Sequence, residues 1–114
     1  MINYLYINSS SLGKLAISTF VFTQLAQERL EALSQGDLKD SLCLANGRHK
    51  AKVTAVVDKT NHLKLSLEVL GYKGADMASA CQAIQSAVYD SIYNMFEISK
   101  VRIDVSISGI VSKD

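Results

Sequence analysis

The stretch HKAKVTAVVDKTNHLKLSLEVLG, residues 49–71, decides the fold of this chain. Apolar residues occupy alternate positions over residues 51–57 and again over residues 63–69, which is the period of a strand with one buried face. Polar and turn-forming residues separate the two runs. The stretch therefore predicts a β-hairpin with one apolar face and one polar face.

The length of the loop fixes the register of this hairpin. A two-residue loop would oppose odd to even positions and turn one apolar set to the wrong face. A three-residue loop instead pairs Val57 with Leu63 and Lys52 with Glu68. It also puts Asn61 at the last position of the loop, where a left-handed residue is expected. We therefore predict a three-residue loop.

A strand and a helix are predicted before the hairpin. GKLAIS, residues 13–18, predicts a short strand with Leu15 and Ile17 on one face. Ser18 or Thr19 can begin the helix that follows, because a hydroxyl group there accepts a hydrogen bond from an unpaired amide. The apolar positions of this helix, which ends near residue 34, are Phe22, Leu25, Ala26, Leu30 and Leu33.

Two further helical segments are predicted, one on each side of the hairpin. Residues 35–49 are long for a structureless connection, and the spacing of Leu38 and Leu42 favours a short helix that ends at Gly47. After the hairpin, residues 75–96 carry the longest helical pattern of the chain. Its apolar stripe consists of Met77, Ala80, Cys81, Ile84, Ala87, Val88, Ile92, Met95 and Phe96.

The closing stretch SKVRIDVSISGIVSKD, residues 99–114, alternates like the hairpin and predicts the last strand. The strand at residues 13–18, the two hairpin arms and this strand give the order β-α-β-β-α-β and a four-stranded sheet. The apolar residues of all four strands are odd-numbered, so one face of the sheet is expected to be apolar. Both helices are therefore expected on that face, in an α+β two-layer sandwich. This order permits a ferredoxin-like sheet without fixing which strands are neighbours. The apolar positions of the last strand are Val101, Ile103, Val105 and Ile107.

The length and composition of the chain predict one domain. INYLYI is expected to be an extra edge strand or an ordered arm, so residues 1–12 precede a single domain at residues 13–110, and residues 111–114 form a tail. The 114 residues are 48% hydrophobic and 20% charged, as in a globular domain. A net charge of +1 supplies no global field that would attract nucleic acid or anionic lipid.

The cysteines and the N-terminal stretch indicate the compartment. Cys43 and Cys81 lie far apart and form no metal or redox motif, so two buried, reduced thiols are expected. The start of the chain lacks the basic residues and the sustained apolar core of a signal peptide, and no stretch approaches the ~18 apolar residues of a membrane span. A cytoplasmic protein is therefore expected.

The residue types that carry enzyme chemistry do not form a predicted site. His49 and His62 would lie at opposite ends of the hairpin, roughly 40 Å apart if it is fully extended, so they are not expected to share a metal. Tyr89 and Tyr93 are interpreted as a solvated helix edge, with an aromatic contact for a partner as the alternative. We predict no catalytic residue, no metal site and no cofactor.

The polar face of the sheet is the candidate binding surface. Its cations are Lys52, Lys64, Lys100 and Arg102, and they outnumber Glu68 and Asp104 there. Sheet surfaces that bind single-stranded RNA normally interleave aromatic residues, which this face lacks. A solvated face is the simpler interpretation, and if the face binds a macromolecule, a protein is favoured over nucleic acid.

Residues 13–110 resemble the alkaline shock protein family, also called the Gls-type envelope stress response family, of Gram-positive bacteria and their relatives. The resemblance depends on four segments in order: GKLAIS, LSLEVLGY, ACQAIQSAVYDSIYNM and VRIDVSISGI. It implies a small protein without enzymatic activity or cofactor that self-associates. It also implies a role in cell-envelope or lipid homeostasis, with indirect membrane association through a separate anchor protein.

The predicted function is that of a cytoplasmic scaffold or adaptor that self-associates as a homo-oligomer and binds protein partners. A small-ligand-binding regulatory module is one alternative, because two-layer domains of this element order often bind metabolites between protomers. An RNA-binding accessory protein is the other alternative, and it requires the basic sheet face to contact phosphate groups.

Overall fold

The computed structural model describes residues 3–8, 13–43 and 51–112. Two helices and strands arranged in two sheets lie along these residues, which confirms the α+β class. The elements in chain order are β1 (Tyr4–Asn8), β2 (Lys14–Ser18), α1 (Thr19–Gln35), β3 (Leu42–Cys43), β4 (Lys52–Val57), β5 (Leu63–Tyr72), α2 (Met77–Phe96) and β6 (Val101–Val111).

The four-stranded sheet is built around β5. β4 and then β3 pair with one edge of β5 in antiparallel orientation, and β6 pairs with the other edge in parallel orientation. Val57 is the register partner of Leu63, and Lys52 is that of Glu68, as the sequence predicts. The parity argument therefore gives the correct register for the hairpin.

The β4–β5 turn also has the predicted form. The backbone N–H of Asp58 donates to the carbonyl of His62 at 3.1 Å, which leaves three residues in the loop. Asn61 adopts the left-handed conformation, with φ 63°.

One face of this sheet is covered by both helices, and the core lies between the two layers. The side chains of β5 that point into it are almost fully inaccessible, and Leu65 has no exposed surface. α1 packs against β4 and α2 against β6. Complete burial of one leucine side chain contributes about 1.5–3 kcal/mol, so β5 holds the two layers together. The fully buried large residues are Phe22, Leu30, Leu42, Leu63, Leu65, Leu67, Val69, Ile84, Val88 and Ile92.

The membership of the sheet differs from the sequence-based expectation at β2. This strand pairs with β1 in a separate two-stranded sheet, and β3 is the fourth strand of the larger sheet. Because β5 and β6 are adjacent, β2 does not lie between them as a ferredoxin-like order would require. Ile17 and Leu5 reach the core, whereas Leu15, on the same face of β2 and nearer its start, is 49% exposed.

The short helix predicted over residues 35–49 is not formed in its described part. Gly36 ends α1, and its N–H donates to the carbonyl of Leu33 at 3.2 Å. Residues 36–41 form turns, and Leu42 then pairs with Gly71 on β5. Pairing with β5 gives Leu42 a buried position, which a solvated helix would not provide. The predicted end of this helix, Gly47, lies outside the described residues.

α2 follows the predicted stripe except at its end. Asp76 begins the helix, and Glu97 ends it in a left-handed conformation with φ 57°. Met95 is 59% exposed, so its predicted place in the core is wrong. Cys43 and Cys81 are free thiols, as expected, but only Cys43 is buried; Cys81 is partly exposed. Among the described residues, no helix is both long enough and apolar enough to cross a membrane.

β6 covers the second edge of β5 and contains one irregularity. Its apolar side chains Val101, Ile103, Val105 and Ile107 pack against the core as predicted. The register then shifts opposite Val69 and Leu70, and Ser108 is the extra residue. Its hydroxyl donates to the carbonyl of Val69 at 3.4 Å. The shift changes the phase of the alternation relative to β5 and places Ile110 opposite Gly71, where it is 53% exposed.

Candidate protein-binding surface

The even-numbered residues of β4, β5 and the first part of β6 form the face of the sheet that the helices leave uncovered; we call it the open face. Lys52, Lys64 and Arg102 are exposed on it. Lys64 and Arg102 are register partners on neighbouring strands, so the structure brings two of the four predicted cations together.

Asp104 lies between these two cations. Arg102 Nε donates to Asp104 Oδ1 at 3.1 Å, and Lys64 Nζ lies 3.6 Å from Asp104 Oδ2. The hydrogen bond from Arg102 holds the pKa of Asp104 below its ordinary value, and the charges of Arg102 and Lys64 act in the same direction. This part of the open face therefore carries opposite charges in contact, in place of a continuous positive patch.

The other two predicted cations lie outside this cluster. Lys52 is opposite Glu68, which is four residues from Lys64 on β5 and therefore roughly 13 Å away. Lys100 precedes β6 and lines a cavity of about 440 Å³ at the end of the sheet, together with residues from β1 and from the β4–β5 turn. Binding of a partner by these four residues stays a prediction.

The outer edge of β6 is a second candidate surface, which the sequence did not reveal. Among the described residues, β6 pairs with β5 alone, so its other edge has no strand beside it. Side chains of α2 reach one carbonyl group of β6 and another that lies two residues before the strand. Gln85 Nε2 donates to the carbonyl of Ile103 at 3.0 Å, and the Tyr89 hydroxyl donates to that of Ser99 at 3.3 Å.

A groove of about 430 Å³ runs between α2 and this edge. Tyr89 stacks on Tyr93 beside it, with ring centroids 6.2 Å apart and an interplanar angle of 9°. The four-residue spacing of the two tyrosines was the one sequence signal at this place, and it did not show which strand would lie next to them. The groove is lined by Gln85, Ser86, Tyr89, Asp90, Val101 and Ile103.

The histidine at the β4–β5 turn has a local role. Thr60 Oγ1 lies 2.8 Å from His62 Nδ1, and Asp58 Oδ1 accepts a hydrogen bond from the backbone N–H of His62 at 3.0 Å. Over residues 3–8, 13–43 and 51–112, no three side chains of the metal-binding types are grouped to hold an ion. His49 lies outside those residues, so its predicted distance from His62 stays a prediction.

Comparison of the chain with protein-family models, with curated proteins and with solved structures finds no match. The resemblance to the alkaline shock protein family is therefore a hypothesis that depends on the four sequence segments alone.

Proposed function

We propose that this protein is a scaffold or adaptor without enzymatic activity that self-associates and binds protein partners through the outer edge of β6. The observation that carries the proposal is the pairing of β6, whose 11 residues have a strand partner on one side only among the described residues.

An edge strand of this length is a natural template for another strand. Its outward N–H and C=O groups can hydrogen-bond to an extended segment, which supplies affinity, while neighbouring pockets select the side chains of that segment. The groove between α2 and β6 lies where such side chains would enter. Tyr89 and Tyr93 add aromatic surface beside it, and aromatic residues are enriched in protein interfaces.

The open face gives less support to the RNA-binding alternative. Phosphate groups are bound by cations that are free to contact them, and binding releases counterions. Lys64 and Arg102 already share the carboxylate of Asp104, so a phosphate would have to compete with it. Protein binding therefore agrees better with this charge arrangement.

The biological role that we propose follows from the family resemblance. The adaptor acts in the cytoplasm in envelope or lipid homeostasis, close to the membrane through an anchor protein. Self-association would raise the avidity of such a complex, because each added copy makes further binding events intramolecular.

Crosslinking in the native cell, followed by affinity capture and mass spectrometry, tests the proposal. Crosslinks to partners or between copies are expected at Lys100, which lies immediately before β6. Lys14 on β2 and Lys39 in the turns after α1 are the matched lysines away from the edge. A protein that sediments as a monomer at high concentration and gives crosslinks mainly at Lys14 and Lys39 would contradict the proposal.

A further inference from the structure

We infer that a second copy of this chain pairs with the outer edge of β6, antiparallel and about a two-fold axis at Ile103. The inference rests on the proposed function, in which this edge binds protein, and it names a second copy of the chain as the protein bound there. In such a dimer the two four-stranded sheets become one continuous sheet, with both open faces on the same side.

The backbone of β6 is oriented for this pairing. In a parallel pair of strands, successive residues point their N–H and C=O groups alternately toward and away from the neighbour. The hydrogen bond from Gln85 shows that the carbonyl of Ile103 points away from β5. An Ile103 pair at a two-fold axis would exchange two N–H···O bonds, and Gln85 can stay bound because a carbonyl oxygen has two lone pairs.

Charge complementarity selects the register. With the axis at Ile103, Arg102 keeps its contact with Asp104 of its own chain and also lies opposite the partner's Asp104, and the symmetry repeats this opposite-charge pair. An axis at residue 102 would place two arginines face to face, and an axis at residue 104 would place two aspartates face to face. An axis at residue 105 or 106 would bring no charged residues of this strand together. Among axes at residues 102–106, the one at Ile103 alone pairs opposite charges without opposing like ones.

The apolar side chains of β6, which point toward the helices, also lie opposite apolar side chains of the partner in this register. Val101 lies opposite the partner's Val105, and Ile103 lies opposite Ile103. These side chains are half-buried against the core of the monomer, so pairing would cover apolar surface that is still accessible. Both sides of the strand therefore support one arrangement.

Two charge-reversed variants test the register. In a dimer of Arg102→Glu, each substituted carboxylate lies opposite the partner's Asp104. In a dimer of Asp104→Lys, each substituted ammonium group lies opposite the partner's Arg102. We expect each variant to need at least about ten times the wild-type concentration for half-dimerisation, because opposed like charges are strongly unfavourable at an interface. An equimolar mixture of the two is expected to recover association as a heterodimer, and the double variant Arg102→Glu/Asp104→Lys is expected to associate like the wild type.

Sedimentation velocity over a concentration series gives the readout, with circular dichroism to establish that each variant is folded. The control is Lys39→Glu, which makes a similar charge change at an exposed residue in the turns after α1, away from the axis. It is expected to leave dimerisation unchanged.

Three results would overturn the inference: a wild-type protein that stays monomeric, single variants that dimerise like the wild type, or a mixture that does not associate. If crosslinks at Lys100 lead to another protein while the wild type remains monomeric, the inference and the proposed self-association fail, and the proposed binding of other proteins at this edge stands. If the reciprocal rescue succeeds and no other partner is captured, the dimer stands and the proposed binding of other proteins fails.

Discussion

Asn61 and Tyr6 are joined by two hydrogen bonds although 55 residues separate them in the chain. Asn61 Oδ1 accepts from the backbone N–H of Tyr6 at 3.0 Å, and Asn61 Nδ2 donates to the carbonyl of Tyr6 at 2.7 Å. The amide side chain thus pairs with β1 as a neighbouring strand would. One residue therefore closes the β4–β5 turn and also attaches the two-stranded sheet to it.

Replacement of Asn61 by glycine tests this attachment. Glycine retains the left-handed conformation and removes both side-chain hydrogen bonds, so Asn61→Gly is expected to lower the free energy of unfolding by about 1–2 kcal/mol. Hydrogen exchange is expected to accelerate at Tyr6 while β4 and β5 keep their protection. Asn61→Asp keeps the acceptor but turns a carboxylate oxygen toward the carbonyl oxygen of Tyr6, so it is not expected to restore the attachment. Unchanged exchange at Tyr6 in Asn61→Gly would contradict this role.

Replacement of Glu97 by glycine is expected to stabilise the protein. Glu97 holds a left-handed conformation at the end of α2, and its N–H donates to the carbonyl of Tyr93 at 2.7 Å. A residue with a Cβ loses about 1–2 kcal/mol in this conformation, and the greater freedom of glycine in the unfolded chain offsets part of the gain. The net increase should be about 0.5–1 kcal/mol, measured by urea denaturation. Glu97→Ala is the control, because alanine keeps the strain and should show no such increase.

The sequence could predict what depends on neighbours along the chain. The period of the apolar residues and the loop length were sufficient for the hairpin register, because a one-residue slip would expose a whole apolar set. The start of α1 at Ser18 or Thr19 could likewise be predicted from neighbouring residues. In the structure it is Ser18 whose Oγ accepts a hydrogen bond from the N–H of Phe20 at 3.2 Å. Such features require no knowledge of distant contacts.

Contacts between distant segments could not be predicted in the same way. The pattern of β2 indicates a strand, but nothing in it selects β1 over the larger sheet as its partner. The position of the outer edge of β6 depends on the same missing information, since among the described residues it follows from the order of β5 and β6 in the sheet. The candidate cations were placed by parity alone, which also puts Arg102 and Asp104 on one side of one strand. The contact of Asp104 with Lys64 emerged only from the strand order.

Acid is expected to destabilise the β4–β5 turn through Asp58. The hydrogen bond from the Thr60 hydroxyl, at 2.6 Å, is the main reason that the pKa of Asp58 lies below its ordinary value, and the N–H of His62 adds to the effect. The unfolded chain therefore takes up this proton at a higher pH than the folded protein. The stabilisation is present above about pH 4 and is lost as the pH falls through the lower pKa of the folded state.

Thermal unfolding between about pH 5 and pH 2 measures this contribution. Asp58→Asn is expected to reduce the loss of Tm with acidification, and Thr60→Ala is expected to have a smaller effect in the same direction. Asp76 and Asp104 have pKa values lowered by their own hydrogen bonds, so part of the slope should remain in both variants. A slope in Asp58→Asn equal to that of the wild type would contradict the assignment.

Gly71 and Met77 are expected to be energetically coupled, because the helix α2 begins directly over this position of β5. A Cβ atom at residue 71 would lie 2.6 Å from Met77 Sδ and 2.8 Å from Met77 Cε, closer than van der Waals contact allows. The end of a methionine side chain can move, so Gly71→Ala should cost about 1 kcal/mol, at the low end for overpacking. In the double variant Gly71→Ala/Met77→Ala, the obstructing atoms of Met77 are absent, and the new methyl group at residue 71 occupies part of their space.

The double variant should therefore be more stable than the sum of the two single effects predicts. The expected difference is about 1 kcal/mol in a double-mutant cycle, with each free energy of unfolding measured by urea denaturation. Strict additivity would mean that the start of α2 does not pack against Gly71.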